Sequence, residues 1–231
     1  MERNNPRLAA LLACIQKCDC LCDIGTDHAY LPIFAVQHNT ALRAIASDVK
    51  PGPLKIAAQN IAAAGLDDKI AVIQSDGFCA FHPGDFDIVV IAGMGGHLIT
   101  DILAVNPAVA RACSKLILQP MMDIPYCREW FFQNKFDIID EVLAIDEHKI
   151  YVIMTVVPVA SQVSYGPEDV IVGPILKLRT DPHYSSYVDK LIKRRKKRLA
   201  GLCVSVTKES LAALEIVKKE LEILQKLREK G

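Results

Sequence analysis

Seven short apolar runs constrain what this chain can fold into: Cys20–Ile24, Arg43–Ser47, Ile70–Gln74, Ile88–Ala92, Lys115–Gln119, Phe136–Ile145 and Ile150–Val157. Most are dense in Ile, Val and Leu, with little alternation of apolar and polar residues. A strand that reads this way is covered on both faces, as in a parallel sheet flanked by helices. The intervening stretches carry helix signals. Pro51-Gly52-Pro53 opens an Ala-rich segment that Gly65 closes, with proline early and glycine late. Asp123 stands where it could cap a helix through Arg128, Glu129 and Trp130. Strand and helix alternating in this way predict a doubly wound, Rossmann-like α/β domain.

The last two runs break the rhythm. Only Asp146-Glu147-His148-Lys149 separates them, too little for a crossover helix. They should therefore pair antiparallel at one edge of a seven-stranded, mostly parallel sheet. A polar link, Ser161 to Pro167, follows. Beyond it a helical region is clearest from Ser185, where Leu214, Val217, Leu221 and Leu224 recur at the three–four spacing of a helical hairpin or short coiled-coil seam. The expected division is an α/β domain over residues 1–160 and an α-helical, coiled-coil-like domain over residues 161–231.

Composition excludes several classes. The chain has 231 residues, 51% hydrophobic and 23% charged, which is a globular profile and not a disordered one. Its longest apolar run, Ile150–Val157, is far too short to span a bilayer. Met1-Glu2-Arg3-Asn4-Asn5 has no apolar segment behind it of the kind a signal peptide needs. A cytoplasmic protein without a membrane partner is expected, and monomeric behaviour with it. Four of the eight cysteines crowd together as Cys14, Cys18, Cys20 and Cys22. Their spacing lacks the C-x2-C pair from which zinc sites are mostly built, and Cys20 and Cys22 fall in a strand, where free cysteine acts as a small hydrophobe. Neither a metal site nor a disulfide is expected.

Charge is neutral overall but uneven. From Pro167 onward there are 15 Lys and Arg against 9 Asp and Glu; of 27 of each sign in the chain, 12 and 18 precede it. The excess concentrates in Lys190, Lys193, Arg194, Arg195, Lys196, Lys197 and Arg198, with no acid among them. A solvated helix face is one reading of such a run. The reading we favour is a contact surface for the phosphate backbone of RNA.

The α/β part carries its chemistry at successive strand ends, where open sheets of this kind bind ligands. After the first strand come Asp23, Gly25 and Asp27, after the second Asp48, after the third Asp76-Gly77, and after the fourth Gly93-Met94-Gly95. Each could be bland, because Asp-Gly is often only a turn and a glycine run only a tight junction. Together they suit an adenosine that bears a cationic amino-acid tail. Asp48 can accept from both ribose hydroxyls, Asp76 from the adenine amine, and Gly77 leaves room for the ring. Asp23 and Asp27 would repel a pyrophosphate and favour an ammonium and a sulfonium. The glycines that seat a pyrophosphate are missing. S-adenosylmethionine is therefore the expected cofactor, and NAD is not.

At this point a resemblance becomes specific. "DIGTDHAYLP", "SDVKPGP", "QSDG", "IAGMGG" and "LILQP" followed by "REW" resemble the bacterial tRNA (adenine-N1)-methyltransferase family that modifies adenine 22, over nearly the whole chain. The resemblance implies the class I methyltransferase fold, S-adenosylmethionine as donor, tRNA as substrate, 1-methyladenosine as product and a C-terminal helical domain. In that family "LILQP" is commonly followed by Asn, where this chain has Met121. Adenine N1 has an in-plane lone pair, so transfer needs alignment more than a base. Asp27, His28, Tyr30 and Gln119 are the candidates for positioning. Asp27 could accept from the target amine, and Tyr30 could stack on an extruded base. His28 could touch substrate or satisfy a helix start, and Gln119 could read a base edge or hold a loop. Two rivals remain open: a methyltransferase of small molecules or proteins whose helical tail dimerises, and a non-catalytic RNA-binding protein.

Overall fold

Every apolar run is a strand. The computed structural model describes residues 5–147, 149–178, 180–203 and 208–229, so Met1–Asn4 and His148 lie outside the described residues. The strands are β1 (Cys18–Ile24), β2 (Ala41–Asp48), β3 (Ile70–Gln74), β4 (Ile88–Gly95), β5 (Lys115–Met122), β6 (Phe136–Asp146) and β7 (Lys149–Pro158). They form one sheet in the order β3-β2-β1-β4-β5-β7-β6. The first five are mutually parallel. β7 does not extend the edge. It slots between β5 and β6 and runs antiparallel to both, so it alone is reversed and β6 forms the edge. The chain winds outward from β1 to β3, then returns to the other side of β1 at β4. That reversal opens a crevice at the carboxyl ends of β1 and β4.

Helices fill the crossovers: α1 (Pro6–Cys14), α2 (Tyr30–Gln37), α3 (Pro51–Ala63), α4 (Gly96–Val105), α5 (Pro107–Ala112) and α6 (Ile124–Gln133). The α1 helix starts on Asn5, whose side chain accepts from the Leu8 amide at 2.9 Å, with proline at its first position. At α6 the sequence expectation needs correction. Asp123 occupies the cap position, but in the left-handed conformation (φ 55°) and with no side-chain capping bond. Its carboxylate instead faces His97 Nε2 at 3.9 Å.

The central strands are buried on both faces, as their composition requires: Leu21, Cys22, Val89, Val90, Ile91, Leu116, Ile117 and Leu118 are all inaccessible to solvent. Burial pushes the Cys20 and Cys22 thiols up, which fits their role as small apolar fillers. Among the described residues, no cluster of His, Cys, Asp and Glu could hold a metal ion, and no helix is long and apolar enough to cross a membrane. One buried ion pair, Arg128 to Glu141 at 2.8–2.9 Å, ties α6 to β6.

The chain divides into two compact units, one ending at Ser164 and one beginning at Tyr165. The second contains α7 (Pro167–Ile171), a 3-10 turn at Leu176–Leu178, α8 (Tyr184–Leu202) and α9 (Lys208–Glu229). The α8 and α9 helices pack as a hairpin. Val188 and Leu191 are buried on α8, with Val217, Leu221, Leu224 and Leu227 on α9. Ion pairs Arg195–Glu220 (2.5 Å) and Arg228–Asp189 (2.8 Å) flank that seam.

Candidate functional site

Backbone hydrogen bonds knit the loops at the carboxyl ends of β1, β2 and β3. The amides of Gly25 and Thr26 both donate to the Ser47 carbonyl (2.7 and 2.9 Å), and the Ser75 amide donates to the Asp48 carbonyl (3.1 Å). The Asp48 carboxylate accepts from the Lys50 amide at 2.7 Å, which fixes its orientation at the strand end. Gly25 has φ +80°, and a Cβ there would lie 2.0 Å from Cε of Met94. Only glycine permits this crossing, because the turn needs a left-handed residue and the Met94 methyl lies against its α-carbon. Gly77 is similarly pressed against Ile102 at the β3 end.

A pocket of about 230 Å³ opens beside that turn, lined by Asp23, Gly25, Thr26, Asp27, His28 and Tyr30 together with Arg7 and Leu8 of α1. Asp23 lies on its floor, 6% exposed. Burial pushes its carboxyl up to about 6, and the charge of Asp48 pushes the same way, while Thr26 and Arg7 draw it back. The Thr26 hydroxyl is close enough to favour the carboxylate, yet it has no partner in hydrogen-bonding geometry; nor has the buried hydroxyl of Ser47. A buried acid with a hydroxyl beside it is a cradle for a cationic, hydrogen-bonding ligand.

At the mouth, His28 and Tyr30 stack with ring centroids 5.2 Å apart and planes 19° from parallel. His28 Nε2 is 3.3 Å from Oδ2 of the exposed Asp27. The residues expected at the β1 end therefore converge on one pocket. Asp48 lies at the neighbouring strand end, while Asp76 is exposed on the loop after β3. Gly93 (φ +81°) would place a Cβ 3.1 Å from Nη1 of Arg7, and Gly95 packs near Met122.

Gln119 reads otherwise than a base-edge contact. It is fully buried, its oxygen accepts from Arg7 Nη1 at 2.9 Å, and its amide nitrogen donates to the Pro120 carbonyl (3.0 Å) and to Met121 Sδ (3.4 Å). These bonds tie α1 to the end of β5. The sulfur of Met121, in the slot where the resembling family commonly has Asn, serves as one of the acceptors of Gln119.

The basic run also divides. Lys193, Arg194, Lys196, Lys197 and Arg198 are exposed on α8, and Lys190 is half-buried, its ammonium pulled down by burial and then by Arg194. Arg195 is the correction: it turns toward α9 and is spent on Glu220.

Sequence reasoning missed Arg7, Thr26 and Ser47. For Arg7 a signal was present, since it is the only charge in an otherwise apolar helix. It also missed a second aromatic pair, His97 on Tyr126 with centroids 3.9 Å apart, beside exposed Met121 and Met122 at the β5 end.

A family described as the methyltransferase domain matches residues 4–154. The chain belongs to that family. Its sheet order, reversed seventh strand and glycine-turned β1 end are the fold of a Rossmann-like class I methyltransferase. The chain is 38% identical over 134 residues to the tRNA (adenine(22)-N(1))-methyltransferase of Bacillus subtilis (strain 168), a match covering 58% of this chain and 56% of that enzyme. The matched region thus spans a little over half of that relative. Two solved structures overlap much more fully. An uncharacterized protein from Listeria monocytogenes serotype 4b shares 31% identity and a TM-score of 0.89 over 96% of this chain and 98% of its own. Sp1610 of Streptococcus pneumoniae, solved with S-adenosyl-L-methionine, shares 28% identity and a TM-score of 0.85 over 97% and 99%.

Proposed function

We propose that this methyltransferase moves a methyl group from S-adenosylmethionine to N1 of an adenine in tRNA, adenine 22 by its likeness to the B. subtilis enzyme. The observation that carries the cofactor part is the pocket beside Gly25, whose buried acid, Asp23, suits the positively charged amino-acid tail of such a nucleoside. Within it, Asp23 answers the ammonium of the amino-acid tail; at the neighbouring strand ends, Asp48 answers the ribose hydroxyls and Asp76 the adenine amine. Gly77, Gly93, Met94 and Gly95 stand beside it at the β3 and β4 ends. Bound there, S-adenosylmethionine supplies an electrophilic methyl on a sulfonium.

The chain's own residues need only align the acceptor. Adenine N1 attacks with its ring lone pair, the ring becomes cationic, and no proton has to leave. The stacked His28–Tyr30 pair offers an aromatic ledge for an extruded base, and Asp27 offers a carboxylate for its amine, whose donor strength rises as the ring gains charge. On α8, the exposed Lys193, Arg194, Lys196, Lys197 and Arg198 hold the tRNA backbone, with Lys190 at the edge of the patch. Action in the cytoplasm, where tRNA is, belongs to the same reading.

The test is nucleoside mass analysis of unmodified tRNA after incubation with the protein and donor. 1-Methyladenosine at position 22 is the expected product. Transfer of labelled methyl to metabolite pools or proteins but not to tRNA would replace this reading with a small-molecule or protein methyltransferase.

A further inference from the structure

The carboxyl end of β5 carries a surface that the cofactor and the His28–Tyr30 ledge leave unused. His97, the second residue of α4, and Tyr126, in the first turn of α6, lie ring against ring with centroids 3.9 Å apart and planes 35° from parallel. Both residues are exposed, and so are Leu98, Met121 and Met122 next to them in the chain. The junction that brings the rings together is tightly built. A Cβ on Gly96 would stand 2.8 Å from the Asp123 carbonyl oxygen, 2.9 Å from that of Met122 and 2.8 Å from Sγ of Cys127, so only glycine lets α4 start flush on the turn into α6. The Cys127 thiol donates to the Gly96 carbonyl at 3.4 Å across the same junction. Asp123, left-handed at φ 55°, faces His97 Nε2 with its carboxylate at 3.9 Å. Two helices are thereby locked so that one ring from each meets at solvent. An aromatic pair that served packing alone would be covered. This one, with two exposed thioethers in the adjoining strand end, is an open, polarisable, apolar face.

Its place in the sheet points to its occupant. β5 lies next to β4, and β4 next to β1, so the strand ends that carry the two aromatic pairs are two strands, about 10 Å, apart at the same end of the sheet. Neighbouring nucleotides of one extended strand span such a distance. Extruding an adenine also unstacks the bases beside it, and each base so exposed has a π-face that an aromatic ledge accepts whatever its sequence. We infer that the His97–Tyr126 pair is a second stacking platform, which holds a nucleotide flanking the target adenine, with Tyr126 as the principal contact and Met121 and Met122 as its apolar border. The inference rests on tRNA being the substrate. It gives the α/β unit a grip on the opened strand that does not depend on phosphate contacts. It also gives the close, glycine-dependent seating of α4 on the turn into α6 a purpose beyond packing.

Binding of the full chain to intact tRNA, and to two tRNAs with an abasic nucleotide on the 5′ or the 3′ side of adenine 22, tests this. For the parent protein, one of the abasic tRNAs should bind roughly five- to a hundred-fold more weakly than intact tRNA, the range for one base stacked on an aromatic ring. Tyr126→Ala should cost a similar factor on intact tRNA and nothing further on that abasic tRNA. Tyr126→Phe, which keeps the ring, should bind as the parent does, and His97→Ala should lose a smaller factor. Unchanged affinity for S-adenosylhomocysteine reports an intact fold in each variant. A parent indifferent to both abasic nucleotides would overturn the inference. So would a loss in Tyr126→Ala that is equal on intact and abasic tRNAs, because the ring would then act only on the architecture. Unmoved tRNA affinity in Tyr126→Ala would overturn it too, and a changed oligomeric state beside it would reassign the patch to contact between copies of the chain. A parent protein that methylates no tRNA at all would overturn the substrate reading itself.

Discussion

Two charged regions of this molecule work by opposite physics. At the β1 end a single carboxylate, Asp23, is buried, and its charge is costly enough that burial lifts its pKa to about 6. On α8 a group of cations stands in solvent, where each charge costs little and each attraction is weak and screened. One buried charge can select a small ligand by sign and shape. Many exposed charges can hold a long polyanion without reading it. The difference teaches that charge count is a poor guide to importance: the buried acid outweighs any single exposed base.

The strongest way to break the comparison is Asp23→Asn. Affinity for S-adenosylhomocysteine should fall at least a hundred-fold, as expected when a buried charged partner is lost. The same change should stabilise the ligand-free protein. The folded pKa of about 6 lies above the ordinary 3.8, so Asp23 subtracts stability fully above pH 6 and progressively less as pH falls toward 3.8. A gain of the order of 2–3 kcal/mol at pH 8, shrinking toward pH 4, should appear in denaturant melts. A variant less stable than the parent at pH 8 would contradict this.

Next in size is the exposed side. Replacing Arg194, Lys197 and Arg198 by Gln should weaken tRNA binding roughly ten- to hundred-fold near physiological salt, and flatten the salt dependence by about one unit of log–log slope for each phosphate no longer neutralised. Cofactor affinity should stay put. An unchanged salt slope would remove α8 from the tRNA surface.

A milder probe sharpens the acid side. In the parent, affinity for S-adenosylhomocysteine should fall about tenfold per pH unit below pH 6, because its ammonium needs an ionised Asp23. Flat affinity down to pH 5 would disconnect the two. The smallest effect belongs to Arg195→Met. Because that side chain is paired with Glu220, tRNA affinity should move less than about threefold, whereas the helical unit should lose roughly 1 kcal/mol in thermal melts. A weakening of tRNA binding as large as that of the exposed set would put Arg195 back on the RNA surface.

The strands were legible because burial on both faces writes itself as unbroken Ile, Val and Leu. The β1 acids were legible too, since their types and positions at strand ends need no side-chain geometry. What the sequence left open or misled on shares a cause. Arg195 looks like its neighbours in a basic run, and only the packing of α9 against α8 reveals that it is occupied. Gln119 ends an apolar run and could face either way; burial decides. Asp123 precedes a helix, but its left-handed backbone carries the carboxylate toward His97 and away from the helix amides. Arg7 sits about 110 residues from the glutamine that anchors it. Such a pairing is set by tertiary structure and leaves no local trace. The placement of β7 between β5 and β6 is of the same kind: four linking residues announce a hairpin but not which of its arms faces inward.

That insertion bears on biosynthesis. Sheet pairing of β6 is with β7 alone, and the Arg7 cation lies over Tyr151 of β7. A chain emerging from the ribosome can assemble β1 to β5 early, yet its first helix waits for nearly the last strand of the unit before its arginine is seated. Cofactor capture should therefore begin only once translation has passed Pro158, so that a truncated nascent chain holds an unfinished pocket.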